Sequence, residues 1–149
     1  TGNLNSLRRL VEANPDNLSF QIRYADALFD AEYYREAADQ YNIYLDQTQG
    51  TPDIVQRYLI AIANYQGDNS LGESVATEYV EIYTTDDDLW MRLGFFRLWQ
   101  GNYAGALEAC NQSLLLNPSN QESQDCQLHA LNPDVIARSA TFPVHVAYR

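Results

Sequence analysis

The chain has 149 residues, enough for one ordinary domain that buries roughly two-thirds of its unfolded surface, so folding requires no disulfide framework. Its net charge is −11 and every basic residue is Arg, an acidic balance that repels phosphate and excludes nucleic acid and anionic lipid as expected partners. Its longest apolar runs are broken well short of the ~20 residues a spanning helix needs, so no membrane insertion is expected.

The absence of Lys beside many carboxylates has two readings, adaptation to high salt or drift in a surface rich in Asn and Gln. With no initiator Met and no leader of charged, apolar and small residues, the chain reads as a mature extracytoplasmic form or an excised fragment.

In chain order, Asn5 to Ala13 spaces Leu7, Leu10 and Val11 as one helix face, closed by Asn14-Pro15. Asp16 or Asn17 can cap the next helix, whose inner stripe is Tyr24, Ala25 and Leu28. Its partner carries Tyr34, Ala37, Ala38, Tyr41, Tyr44 and Leu45. Thr51-Pro52 opens a helix with a capping hydroxyl and a proline where no N–H is needed, and Val55, Leu59, Ile60 and Ala63 face inward. Gly67-Asp68-Asn69 makes a turn. Ser70 and Glu73 then stand at capping-box spacing before Gly72, Val75, Ala76, Tyr79, Val80 and Tyr83.

Thr85 is followed by three aspartates. Negative charge at a helix N-terminus is favoured by the dipole and the unpaired N–H groups, and no ligands at calcium-loop spacing accompany them, so no metal site is expected. Trp90, Leu93 and Gly94 then stand at W-x-x-L-G spacing. The turn Gly101-Asn102-Tyr103, Ala106, Cys110, Ser113 and Pro118 complete the unit. After it, Ser119 and Glu122 repeat the capping-box spacing and a last helix with Leu128 and Leu131 runs to Asn132-Pro133.

The stretch from Leu89 to Pro118 resembles a tetratricopeptide repeat, a 34-residue helix-turn-helix. Arg97 or Leu98 stands where that family has a tyrosine, and Cys110 where it has a large aromatic. The small residues Ala37, Gly72 and Ala106 recur at intervals of 35 and 34. The resemblance implies an all-α fold, a right-handed superhelical solenoid of three full repeats with half a repeat at each end. The expected domain covers residues 1–133, and residues 134–149 form a tail in which Phe142-Pro143-Val144-His145-Val146-Ala147-Tyr148 has extended character.

In such an array the first helices of the hairpins line a concave face. The positions one face round from the core stripe are Ile22, Asp26, Phe29 and Asp30, then Arg57, Ala61, Asn64 and Tyr65, then Met91, Phe95, Leu98 and Trp99. A protein or peptide partner of neutral or basic character is expected there. Phe29, Arg57, Tyr65, Phe95 and Trp99 would bound the groove, while Asp26, Asp30 and Asn64 hold the ligand backbone. A shift of one residue in phase would instead put Phe95 and Leu98 in the core. A clamp for a terminal carboxylate is not expected, because the matching positions hold Ile22, Asp26, Tyr58 and Asp88, and only Arg92 fits.

Cys110 and Cys126 lie on consecutive helices, within reach of a disulfide in an oxidising compartment or of two buried thiols. His129 and His145 are the chain's two histidines. No nucleophile elbow, phosphate loop or metalloprotease motif is present, so no cofactor and no enzymatic activity are expected. The function expected is a scaffold for protein assembly. Its rivals are a self-associating protein whose tail docks on its own or a neighbour's groove, and a regulatory domain of a larger enzyme.

Overall fold

A computed structural model of the protein describes residues 2–65 and 68–134. Among these the chain forms eight helices and no strand. Gly67 of the expected turn and the tail from residue 135 onward lie outside the described residues.

The described residues divide into two compact units. The first ends at Tyr65 and holds α1 (Gly2–Ala13), α2 (Leu18–Asp30), α3 (Tyr34–Gln47) and α4 (Pro52–Asn64). The second holds α5 (Asn69–Ile82), α6 (Asp87–Trp99), α7 (Tyr103–Leu116) and α8 (Gln121–Leu131).

Six helices, α2 and α4 to α8, start at a short polar side chain whose oxygen accepts an orphan N–H, while α3 starts at Tyr33 without a side-chain cap. Asn17 accepts from Phe20 at 3.0 Å and Thr51 from Ile54 at 3.5 Å, with Pro52 in the first turn as expected. Two caps differ from the sequence reading. Asp68, not Ser70, caps α5 by accepting from Leu71 N, and Asn120, not Ser119, caps α8 by accepting from Ser123 N, both at 3.0 Å. Capping-box spacing is met by both serines, but Ser70 already lies inside α5, and Ser119 precedes the residue that caps α8.

Helix ends are also alike in the two units. After α6 the chain closes with Gly101 at φ +82°, whose N–H reaches Leu98 O while Asn102 N–H reaches Arg97 O. After α2 the same pair of bonds forms from Glu32 to Phe29 and from Tyr33 to Leu28, with Glu32 at φ +65°. Both are the two-bond C-terminal closure that needs one left-handed residue.

Ala37, Gly72 and Ala106 are all buried, as the interval of small residues requires. A Cβ on Gly72 would strike the ring of Phe96. One on Gly94 would strike Cys110 Sγ and come within 3.3 Å of the Ala106 carbonyl, so both glycines mark close approaches. In the first unit the core is built from Ala25, Leu28, Ala38, Tyr41, Val55 and Leu59. In the second it is built on α6, which packs against α5, α7 and α8 and is buried from Leu89 to Phe96 except at Trp90.

Candidate functional site

In the first unit α2 brings Ile22, Asp26 and Phe29 along one face, and α4 brings Arg57, Asn64 and the terminal Tyr65. The structure joins the two helices through Asp26. Its Oδ1 accepts the phenol hydrogen of Tyr41 at 2.6 Å and lies 2.8 Å from a guanidinium nitrogen of Arg57. Tyr41 is fully buried, and burial together with the Asp26 carboxylate pushes its phenol far above the usual tyrosine range. The Asp26 hydrogen bond also raises the Arg57 guanidinium above its usual value, against a smaller opposing effect of burial.

Asp26 is therefore already engaged by its neighbours, and Asp30 is the carboxylate that this face leaves exposed. Phe29 is half-buried, its ring edge-on to Tyr34 at 5.5 Å and to Tyr41 at 6.4 Å. Asn64 turns back on its own helix, donating to Ile60 O at 2.8 Å. Ala61 is fully buried and offers a partner no surface. A separate pocket of about 320 Å³ opens between α1, α2 and α3, lined by Leu4, Arg8, Tyr24, Leu28, Tyr33 and Glu36.

In the second unit the outcome is different. Met91, Phe95 and Leu98 are at most 4% exposed, so the phase that places them in the core is the one the structure takes. The cause is the environment of α6. A helix packed by three others is apolar nearly all round and has no single stripe from which a phase can be read. Trp99 stays half-buried, resting on Phe95 at 5.5 Å and edge-on to Phe96 at 5.7 Å.

The clamp positions are also occupied. Tyr58 is buried and donates to Asn42 at 3.2 Å, Arg92 is 3% exposed, and Asp88 accepts from Asn120 at 3.0 Å. The aspartates are structural anchors. Asp86 caps α6 through Leu89 N, and Asp87 accepts from Asn117 at 3.0 Å and Asn120 at 2.8 Å. Burial, followed by the charge of Asp87, raises the Asp88 carboxyl above its usual value.

Sequence reading missed two contacts, at Arg97 and between Ser113 and Ser123, and left Cys110 and Cys126 open between a disulfide and two thiols. Arg97, standing where a tyrosine was expected, pairs with Glu73 at 3.2 Å and donates to Gly105 O at 3.0 Å, joining α5, α6 and α7. Ser113 and Ser123 share a buried hydrogen bond of 2.6 Å. Cys110 and Cys126 are bonded to each other, with Cα atoms 6.2 Å apart, in the space that Gly94 leaves open.

Residues 87–120, the hairpin of α6 and α7 with its closing turn, match the family model for the tetratricopeptide repeat. The chain carries a tetratricopeptide repeat. Solved structures extend the likeness to the other hairpins. A crystal structure of MamA has a TM-score of 0.77 at 12% identity, covering 97% of this chain and 81% of that one. The first tetratricopeptide domain of Spaghetti (RPAP3), solved bound to the HSP90 peptide SRMEEVD, has a TM-score of 0.69 at 18% identity, covering 80% and 93%. The tetratricopeptide domain of P58(IPK) has a TM-score of 0.64 at 12% identity, covering 91% and 42%. These likenesses show the fold, an all-α solenoid of repeat hairpins. No curated protein matches the chain in sequence.

Proposed function

We propose that the protein is a non-enzymatic interaction scaffold that holds a peptide of a partner against the α2–α4 face of its first unit. The observation that carries this reading is the half-exposed Arg57–Asp26 pair that joins α2 to α4, with Phe29 and Asp30 one turn further along α2 and Tyr65 at the end of α4. Aromatic and Arg side chains give large contact area for few frozen rotors, which suits them as anchors. Supporting it, the structurally similar RPAP3 domain holds a peptide.

The partner's chemistry differs from the acidic SRMEEVD. A chain of net charge −11 whose clamp positions hold Asp26, Tyr58 and Asp88 favours a neutral or basic peptide, since like charges across an interface cost affinity. Trp99, on its own unit, is a second anchor surface. The buried Cys110–Cys126 bond favours an oxidising compartment as the place of work.

Selection of a random peptide display library on the protein tests the reading. Neutral or basic sequences with an apolar anchor should be enriched, and Arg57→Ala with Tyr65→Ala should weaken them at least tenfold. Peptides that bind this double variant as well as the wild type would remove the α2–α4 face from the account.

A further inference from the structure

Two stretches of the chain, Asn17-Leu18-Ser19 and Asn111-Gln112-Ser113, have the Asn-X-Ser pattern of an N-glycan acceptor, and a third, Asn117-Pro118-Ser119, is excluded by its proline. The structure separates the first two. Pro15 and Asp16 turn the chain after α1, and Asn17 closes that turn by donating its backbone N–H to Asn14 O at 2.9 Å. Asn17 and Ser19 are both exposed. The Asn17 side chain divides its two polar atoms between two tasks. Its Oδ1 accepts from Phe20 N at 3.0 Å as the cap of α2, while Nδ2 makes no hydrogen bond among the described residues. A glycan is attached through Nδ2 and leaves the amide oxygen in place, so one residue can carry cap and sugar together.

Asn111 lacks this freedom. It lies inside α7, its Oδ1 accepts from Gln127 Nε2 at 2.8 Å, and the hydroxyl of its pattern, on Ser113, is fully buried against Ser123 at 2.6 Å. A transferase that reads the hydroxyl two residues beyond the asparagine therefore reaches Ser19 and not Ser113. The Cys110–Cys126 bond is an independent observation in the same direction. Disulfides persist in the extracytoplasmic and secretory compartments, which are also where glycans are transferred from lipid carriers.

We propose that Asn17 is the acceptor of an N-linked glycan on the folded protein. In the transfer, Asn17 Nδ2 attacks the anomeric carbon of a glycan held on a polyprenyl diphosphate. The new C–N bond forms as the C–O bond to the diphosphate breaks, polyprenyl diphosphate leaves, and one amide proton passes to a carboxylate of the transferase. Asn17 precedes α2, and Phe29 lies ~18 Å further along that helix at ~1.5 Å per residue. The site is therefore separate from the α2–α4 face, and its failure would leave the peptide-binding proposal untouched.

Incubating the folded, disulfide-bonded chain with a single-subunit oligosaccharyltransferase and a polyprenyl-diphosphate glycan, then mapping glycopeptides by mass spectrometry, tests it. Occupancy at Asn17 should exceed that at Asn111 at least tenfold. Ser19→Ala removes the hydroxyl and keeps the cap, so it should abolish the glycan at Asn17 and leave the melting temperature within about 3 °C of the wild type. The glycosylated chain should melt within the same range, because Oδ1 still holds Phe20 N–H. A folded chain left unmodified at Asn17 would overturn the proposal, as would Asn111 modified as readily as Asn17. A glycosylated chain that melts as low as Asn17→Ala would overturn it equally, since the sugar would then have displaced the cap.

Discussion

At the scale of single residues, the two hairpin closures offer a matched comparison. Gly101 and Glu32 occupy the same left-handed position at φ +82° and +65°, but only glycine does so without a Cβ penalty. Glu32→Gly is therefore expected to stabilise the protein by ~0.5–1 kcal/mol, and Gly101→Ala to destabilise it by ~1 kcal/mol, in urea unfolding. Nothing lies within 4 Å of a Cβ built on Gly101, so its cost is one of backbone alone. The turn at Gly101 was legible in the sequence because glycine announces it. The turn at Glu32 was not, because no residue type there signals positive φ.

Tyr41 gives a pH prediction. Its folded phenol titrates far above an unfolded tyrosine, so the stability it contributes is complete below about pH 10 and is lost as pH rises beyond that value. Tyr41→Phe should cost ~1–2 kcal/mol at pH 7, because a hydrogen bond to a carboxylate is removed, and should lose less stability than the wild type between pH 9 and 11. Urea midpoints across that range check both parts. The Tyr41–Asp26–Arg57 cluster was invisible to periodicity. Tyr41 sat on the core stripe and the other two on a different stripe, and only folding makes one carboxylate oxygen serve both.

At the scale of elements, α8 is held by two different means. Asn120 caps it and also donates to Asp87 and Asp88 on α6, while the Cys110–Cys126 bond closes a separation of 16 residues onto α7. Asn120→Ala should cost ~1–2 kcal/mol through the lost cap and its bridging bonds. Cys110→Ala with Cys126→Ala should cost about 3 kcal/mol, most of it from the freed unfolded chain. Thermal unfolding of each variant, followed by circular dichroism, measures the loss.

Helices were legible to within a few residues wherever small residues and turns punctuated the chain. The site was less so. On α2 one face is packed and one is not, so Ile22, Asp26 and Phe29 fall on an accessible side, whereas α4 is buried without a break from Tyr58 to Ala63 and only Arg57, Asn64 and Tyr65 of its expected positions keep any exposure. On α6 neighbours on three sides bury Met91 and Phe95, and the sequence holds no contrast that says which face is open.

At the scale of the molecule, net charge sets the response to salt. Self-repulsion among carboxylates at −11 is screened within the first few hundred millimolar, where the Debye length falls below ~5 Å. The melting temperature should therefore rise with added NaCl and level off by about 0.5 M. A rise continuing to several molar would instead mark adaptation to high salt, the other reading of a surface without Lys. The same charge should make binding of basic peptides weaken as salt is added, because the attraction is screened.

The central claim is that the α2–α4 face receives a partner's chain, and a crystal structure of the protein with one enriched basic peptide tests it most directly. The account predicts that the peptide lies against Arg57 and Tyr65 with a basic side chain near Asp30. A peptide seated elsewhere, with that face left to solvent, would contradict it.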